Sequence, residues 1–77
     1  MNAATEYVQM HVVNYEPSYL ALREAVDMYV NGDDGIAPAR DFLADAVSQH
    51  LSGMGLDPED LTDEVDFAAI VAEEAEV

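Results

Sequence analysis

Three prolines divide this 77-residue chain, and each stands where a helix can begin and cannot continue. Proline holds φ near the helical value and lacks the N–H that an interior turn requires, so it suits a first turn and breaks any later one. Pro17 follows Asn14, a capping residue, and leads into Tyr19, Leu22, Val26 and Tyr29 at steps of three, four and three. That spacing lines one face of a helix, with Ala25 and Val30 beside it and Arg23, Glu24, Asp27 and Asn31 elsewhere. Asn31-Gly32 closes the segment, and Asp33-Asp34-Gly35 reads as a turn.

Pro38 opens a second stretch in the same way. Phe42, Leu43, Ala46, Val47, His50 and Leu51 form its inner side up to a stop at Ser52-Gly53, and Asp41, Asp45, Ser48 and Ser52 form its outer stripe. Asp57-Pro58-Glu59-Asp60 is a third start, with acids at the positive end of the helix dipole, and predicts a short helical turn. Thr62 or Asp63 then caps a last helix to about Ala75. Its inward residues are either Val65, Ala68, Ala69 and Ala72 or Phe67, Ile70 and Val71. Residues 1–13 fit an edge strand or a short helix capped by Thr5, and we read them as helix. Without repeats or a linker, the expectation is one all-α domain over residues 1–77, a three- to four-helix bundle. The alternative is an α+β arrangement with a short N-terminal strand.

Charge then narrows what such a bundle can do. Seventeen Asp and Glu face only Arg23 and Arg40, with no Lys, for a formal net charge of −15. Direct binding to nucleic acid or to an anionic membrane face is therefore opposed. No Cys is present, which removes disulfides and thiolate metal sites, and no apolar run approaches the ~20 residues of a membrane span. A cytoplasmic location is the expectation. At 51% apolar residues the chain has enough material to fold, although a chain this short buries only roughly 60–65% of the surface of its unfolded form.

The sequence offers little for catalysis or for a cofactor. Neither His11 nor His50 has the spacing of a helical metal pair or of a nucleophile and its base, so the expectation is no enzyme, no metal and no cofactor. The turn around Asn31, Asp33, Asp34 and Asp41 resembles a calcium loop in content but fails in register. With Gly35 as the sixth residue of an EF-hand, Val30 and Gly32 would occupy the first and third ligand positions. Acyl carrier proteins are also acidic and helical at about this length, but their D-S-L motif is absent, and the comparable start reads Asp57-Pro58-Glu59-Asp60.

The carboxylates themselves are the remaining signal. More than half lie in residues 57–77, a stretch with no basic residue of its own. Asp41 with Asp45 and Asp60 with Glu64 are i, i+4 pairs, and Glu24 with Asp27 is i, i+3, so rows of acid along helix faces are expected. Such rows imitate the repeating charge of a nucleic-acid backbone. Tyr7, Tyr15, Tyr19 and Tyr29 are core or rim residues, with one or two as exposed anchors the alternative.

Asn14-Tyr15-Glu16 before a helix, the Asn31-Gly32-Asp33-Asp34-Gly35 turn after it, and Val65-Asp66-Phe67-Ala68-Ala69-Ile70 together resemble a pattern in short phage and mobile-element proteins. There it runs N-Y-E-T, N-D-E-G and V-D-W-x-x-I-A; this chain has Pro17 for the Thr and Phe67 for the Trp. The resemblance implies a phage or mobile-element origin and no particular activity. In size and charge the chain is similar to DNA-mimicking antirestriction and anti-CRISPR inhibitors, and to colicin-type immunity proteins. What that likeness implies is a partner that is a basic nucleic-acid-binding protein, met by Asp41, Asp45, Asp57, Glu59, Asp60, Asp63, Glu64 and Asp66. The competing expectation is a halophile-adapted structural or accessory protein whose acidity serves solubility, with a homodimer as one form.

Both expectations share one physical consequence. Folding gathers −15 charges around a small core, so self-repulsion subtracts from stability and salt relieves it. The melting temperature at pH 8 should rise as NaCl goes from ~0.02 to ~0.5 M, where the Debye length falls to a few Å. A melting temperature indifferent to salt would contradict a self-repelling fold.

Overall fold

Asn2 starts the first helix. Its side-chain oxygen accepts from the Thr5 N–H at 2.8 Å, and α1 runs Ala3–Val13. The N-terminal stretch is thus helix, and its cap lies three residues before Thr5, the residue expected to fill that role. Asn14, expected to cap the next helix, instead closes this one: its amide donates to Met10 O at 2.8 Å. Helix α2, Glu16–Asn31, begins at Tyr15 with Pro17 in its first turn and no side-chain cap. The corner is sealed by Ser18, fully buried, whose hydroxyl lies 3.0 Å from Val12 O and 2.9 Å from Tyr15 O.

Gly32 to Ile36 connects to α3, Ala37–Gln49, and Gly35 takes a positive φ of 76° there. The helix expected to continue through Leu51 breaks at His50. A further turn, α4, Leu51–Met54, carries on past the expected stop at Ser52-Gly53. Gly55 ends it at φ 77°, with Leu56 N–H donating to Leu51 O at 3.0 Å and Gly55 N–H to Ser52 O at 3.2 Å. These two bonds are the paired closure that a left-handed residue allows, and a glycine supplies it without a Cβ penalty.

Pro58–Asp60 is the expected short turn, of 3-10 type, tied by Asp57 N–H donating to the Asp60 carboxylate at 2.9 Å. The last helix, α5, is shorter than expected. It spans Phe67–Ala75 and is capped by Asp66, which accepts from Ala69 N–H at 3.0 Å, so neither Thr62 nor Asp63 caps it. Of the two candidate inner faces the second is used, with Ile70 and Val71 fully buried and Phe67 packed against the core.

The computed structural model covers residues 1–77 and contains helices and turns but no strand. Helix α2 packs on α3, α5 lies against both, and α1 packs chiefly on α2 and α5. Every helix sends a residue into one core: Val8 and Val12, Leu22 and Ala25, Ala39, Leu43 and Val47, Met54, then Ile70 and Val71. Only 14 of 77 residues are buried, so no large side chain in this core is expendable. The surface of 4588 Å² matches the ~4,600 Å² expected of a compact monomer of this mass.

Two polar details hold this packing in register. Thr5 is fully buried, and its hydroxyl accepts from Asp66 N–H at 2.9 Å while donating to Glu64 O at 3.2 Å. Asn2 adds a bond from its amide to the same carbonyl at 2.8 Å. The start of α1 thereby holds the segment that delivers α5. At the other end of α1, the Tyr15 ring lies directly over Gly53, where a Cβ would overlap it.

Each detail has a measurable cost. Thr5→Val keeps the shape and removes both hydroxyl bonds, so it should cost about 1–3 kcal/mol, whereas Thr5→Ser should recover most of it. Thermal melts followed by circular dichroism should show this as a drop of ~4–8 °C per kcal/mol. Equal melting of Thr5→Val and wild type would mean that the hydroxyl is dispensable. Gly53→Ala sets a helix-propensity gain of up to ~1 kcal/mol against displacement of the Tyr15 ring, which should cost about 1–3 kcal/mol. Net destabilisation is expected, and a stabilised Gly53→Ala would show that Tyr15 moves aside freely.

Candidate acidic interface

The eight acids singled out from the sequence fall into two groups. Asp41 and Asp45 lie one turn apart on the face of α3 opposite Leu43 and Val47, and both are exposed, as the periodicity required. Asp45 accepts from Gln49 Nε2 at 2.8 Å, which orients its carboxylate without neutralising it. Asp41 is different: Arg40 Nε reaches it at 3.0 Å, although both side chains are largely exposed and such pairs contribute little.

The second group follows the chain from Asp57 to Asp66. The expected row of Asp60 with Glu64 on a helix face is absent, because Asp60 ends a 3-10 turn and Glu64 sits in a turn before α5. Proximity here comes from backbone bends. Asp57 and Asp60 are brought together by the bond from Asp57 N–H, and Glu64 and Asp66 flank Thr5 through their backbone groups. Asp57, Glu59, Asp63, Glu64 and Asp66 are exposed and Asp60 is half-buried.

Geometry also supplies a base that residues 57–77 lack. Arg23 of α2 meets Glu74 of α5 at 3.4 Å, and the Tyr19 hydroxyl donates to the same oxygen at 3.4 Å. Glu74 is the less exposed of the two paired carboxylates, at 12%, and is drawn into the fold while its neighbours Glu73 and Glu76 stay exposed. With Arg40 on Asp41, both arginines are engaged and the remaining acids are opposed by no cation side chain. The outer face of α2 adds Glu24 and Asp27, exposed and one turn apart, with Asn31 donating to Asp27.

The two histidines occupy packing positions. His50 sits half-buried at the α3–α4 break, its ring edge-on to Tyr15 at 6.2 Å, with a buried Nδ1 that has no hydrogen-bond partner. His11 lies over Tyr7 at 4.5 Å, and its Nδ1 is 2.9 Å from Tyr7 O. Tyr15, Tyr19 and Tyr29 pack against the core, whereas Tyr7 is 44% exposed and is the tyrosine that stands out from the surface. No three carboxylate or imidazole side chains converge as a metal site would require. No helix is long and apolar enough to cross a membrane.

The periodic residues of α3 were legible in the sequence, and those of 57–66 were legible only as composition. The signal that could have found Asp66 as the cap was present, since it stands directly before the apolar Phe67-Ala68-Ala69-Ile70-Val71 run. Compared with known proteins, the chain matches no family model, no curated protein and no solved structure.

Proposed function

We propose that this chain is a small inhibitory binding protein, of phage or mobile-element type, that covers a basic nucleic-acid-binding surface of a host defence protein and acts by occlusion. The observation that carries the reading is the way its acids are held. Asp45, Asp60 and Asp66 take hydrogen bonds from an amide side chain or from backbone N–H groups, so their positions are defined while their charge is left intact. Fixed charge reduces the ordering cost of binding, and an uncompensated field steers association with a positive partner. Nucleic acid itself would be repelled by the same field. Function then resides in binding, with no catalytic step.

One observation favours the halophile-adapted reading. Acids also occupy the outer face of α2 and the 33–34 turn, away from the proposed contact residues, as a general solubilising coat would. Position separates the two readings, because a decoy depends on where charge lies and a coat depends on how much there is.

Two triple variants of equal charge change test this: Asp60→Asn, Asp63→Asn and Glu64→Gln against Glu6→Gln, Asp33→Asn and Asp34→Asn. Asn at position 60 retains an acceptor for Asp57 N–H, and Asp63 caps no helix, so neither set removes a structural bond. A partner captured from host lysate and identified by mass spectrometry supplies the second component. At ~0.05 M salt the first set should slow association about tenfold and the second less than about twofold, with the gap closing near ~0.5 M. Equal effects at matched melting temperature would place the protein with acidic, solubility-adapted chains.

A further inference from the structure

Three asparagines stand in this chain, and the fold places one of them differently from the others. Asn2 is tied at both ends of its amide, accepting from Thr5 N–H at 2.8 Å and donating to Glu64 O at 2.8 Å. Asn14 donates to Met10 O at 2.8 Å and is followed by the bulky Tyr15, whose N–H is engaged with Val12 O at 3.4 Å. Asn31 is the last residue of α2, is exposed, and is followed by a glycine. Its amide nitrogen donates to Asp27, one turn back on the same exposed face. The chain leaves the helix at Gly32, also exposed, with an extended backbone at φ −92° and ψ 163°.

We propose that Asn31 is a site of spontaneous deamidation, through attack by the Gly32 backbone nitrogen, and that the reaction converts the chain into a more acidic and less stable form. The nitrogen forms a bond to the side-chain carbonyl carbon of Asn31, and the bond from that carbon to Nδ2 breaks. Nδ2 leaves as ammonia, carrying the proton that the Gly32 N–H gives up. Water then opens the resulting cyclic imide at either of its carbonyls. One opening leaves an aspartate at position 31, and the other leaves an isoaspartate, whose side-chain carbon has become part of the main chain. Water is the only co-reactant.

Sterics hold the glycine at this corner. A Cβ at Gly32 would overlap Met28 O, so the residue that lets the chain turn out of α2 is also one with no side chain to hinder the attack. Ring closure requires Asn31 to rotate out of its helical conformation, which costs little in the exposed last turn of a helix. The product then weakens the end of α2. A donor to Asp27 is replaced by a second carboxylate at i, i+4, a destabilising like-charge pair. The new charge also stands at the negative end of the helix dipole. The isoaspartate form in addition lengthens the main chain at the start of the 32–36 connection that leads to α3. The site is independent of the inhibitory reading, since the reaction runs or fails with no other protein present.

Incubation of the full chain at pH ~8 and ~37 °C, followed by peptide mapping with mass spectrometry, tests it. Asn31 should be lost at least about tenfold faster than Asn2 or Asn14, with isoaspartate in excess over aspartate. The rate should rise with pH, because the attacking nitrogen must give up its proton. Isomerisation at Asp34-Gly35 expels and regains water, so the mass gain reports asparagine alone. The same chain unfolded in urea supplies the reference rate, and folding should slow the loss of Asn31 less than about tenfold. Asn31→Asp, which reproduces one product at full yield, should melt about 2–6 °C below the wild type at ~0.05 M salt, with part of the gap closing at ~0.5 M. An Asn31 that stays intact after the unfolded chain has converted, equal loss at all three asparagines, a rate indifferent to pH, or an Asn31→Asp variant that melts with the wild type would each overturn the proposal.

Discussion

The hydroxyl of Thr5 is the point on which the arrangement of this bundle turns. It is fully buried near the start of the chain and joins two positions on either side of Val65 some sixty residues later, Glu64 O and Asp66 N–H. Asp66 is also the cap of α5, so the side chain that anchors the turn sits beside the residue that starts the last helix. Helix α5 then brings Ile70 and Val71 into a core that already holds Leu22 and Leu43. In a chain where so few residues are buried, losing the placement of one helix removes a large share of the apolar contact. A satisfied hydroxyl is valuable at such a point because its alternative, an unpaired backbone N–H, carries the full desolvation penalty.

Charge works against the same core. Over 4588 Å² the net charge of −15 amounts to about one negative charge per 300 Å² of surface, and a stability of ordinary size has little margin for that repulsion. The fold offsets part of it through one contact between helices. Glu74, from the acidic C-terminal block, is covered by Arg23 and Tyr19 of α2. Elsewhere Asp27, Asp45, Asp60 and Asp66 are oriented by neutral donors, which defines their positions and leaves their charge intact. The cost in stability is consistent with a use for that field, whether in binding a basic partner or in staying dissolved.

Two faces of opposite character result. The outer stripe of α3 and the 57–66 segment are acidic and polar. The outer face of α1 is nearly neutral and carries Tyr7 and Met10. The two faces meet at the start of α1, where Asn2 and Thr5 bond to the backbone of Glu64 and Asp66.

Much of this was legible in the sequence. Pro17, Pro38 and Pro58 each open a helical segment, and the apolar steps of α2 and α3 identify Leu22, Leu43 and Val47 as inward, because both signals act within a turn or two of the chain. The exposure of Asp41 and Asp45 followed from the same periodicity. Contacts between distant parts of the chain decided the rest. Thr5 was read as a cap and is a buried bridge, Asn14 closes the helix before it, and Asp66 takes the capping role assigned to Thr62 or Asp63. A polar side chain satisfies whichever donor or acceptor the fold brings near, and local spacing does not contain that information. The 57–66 acids are the clearest case: composition alone marked them as a negative block, and only the bends of the folded backbone determined which carboxylates lie together.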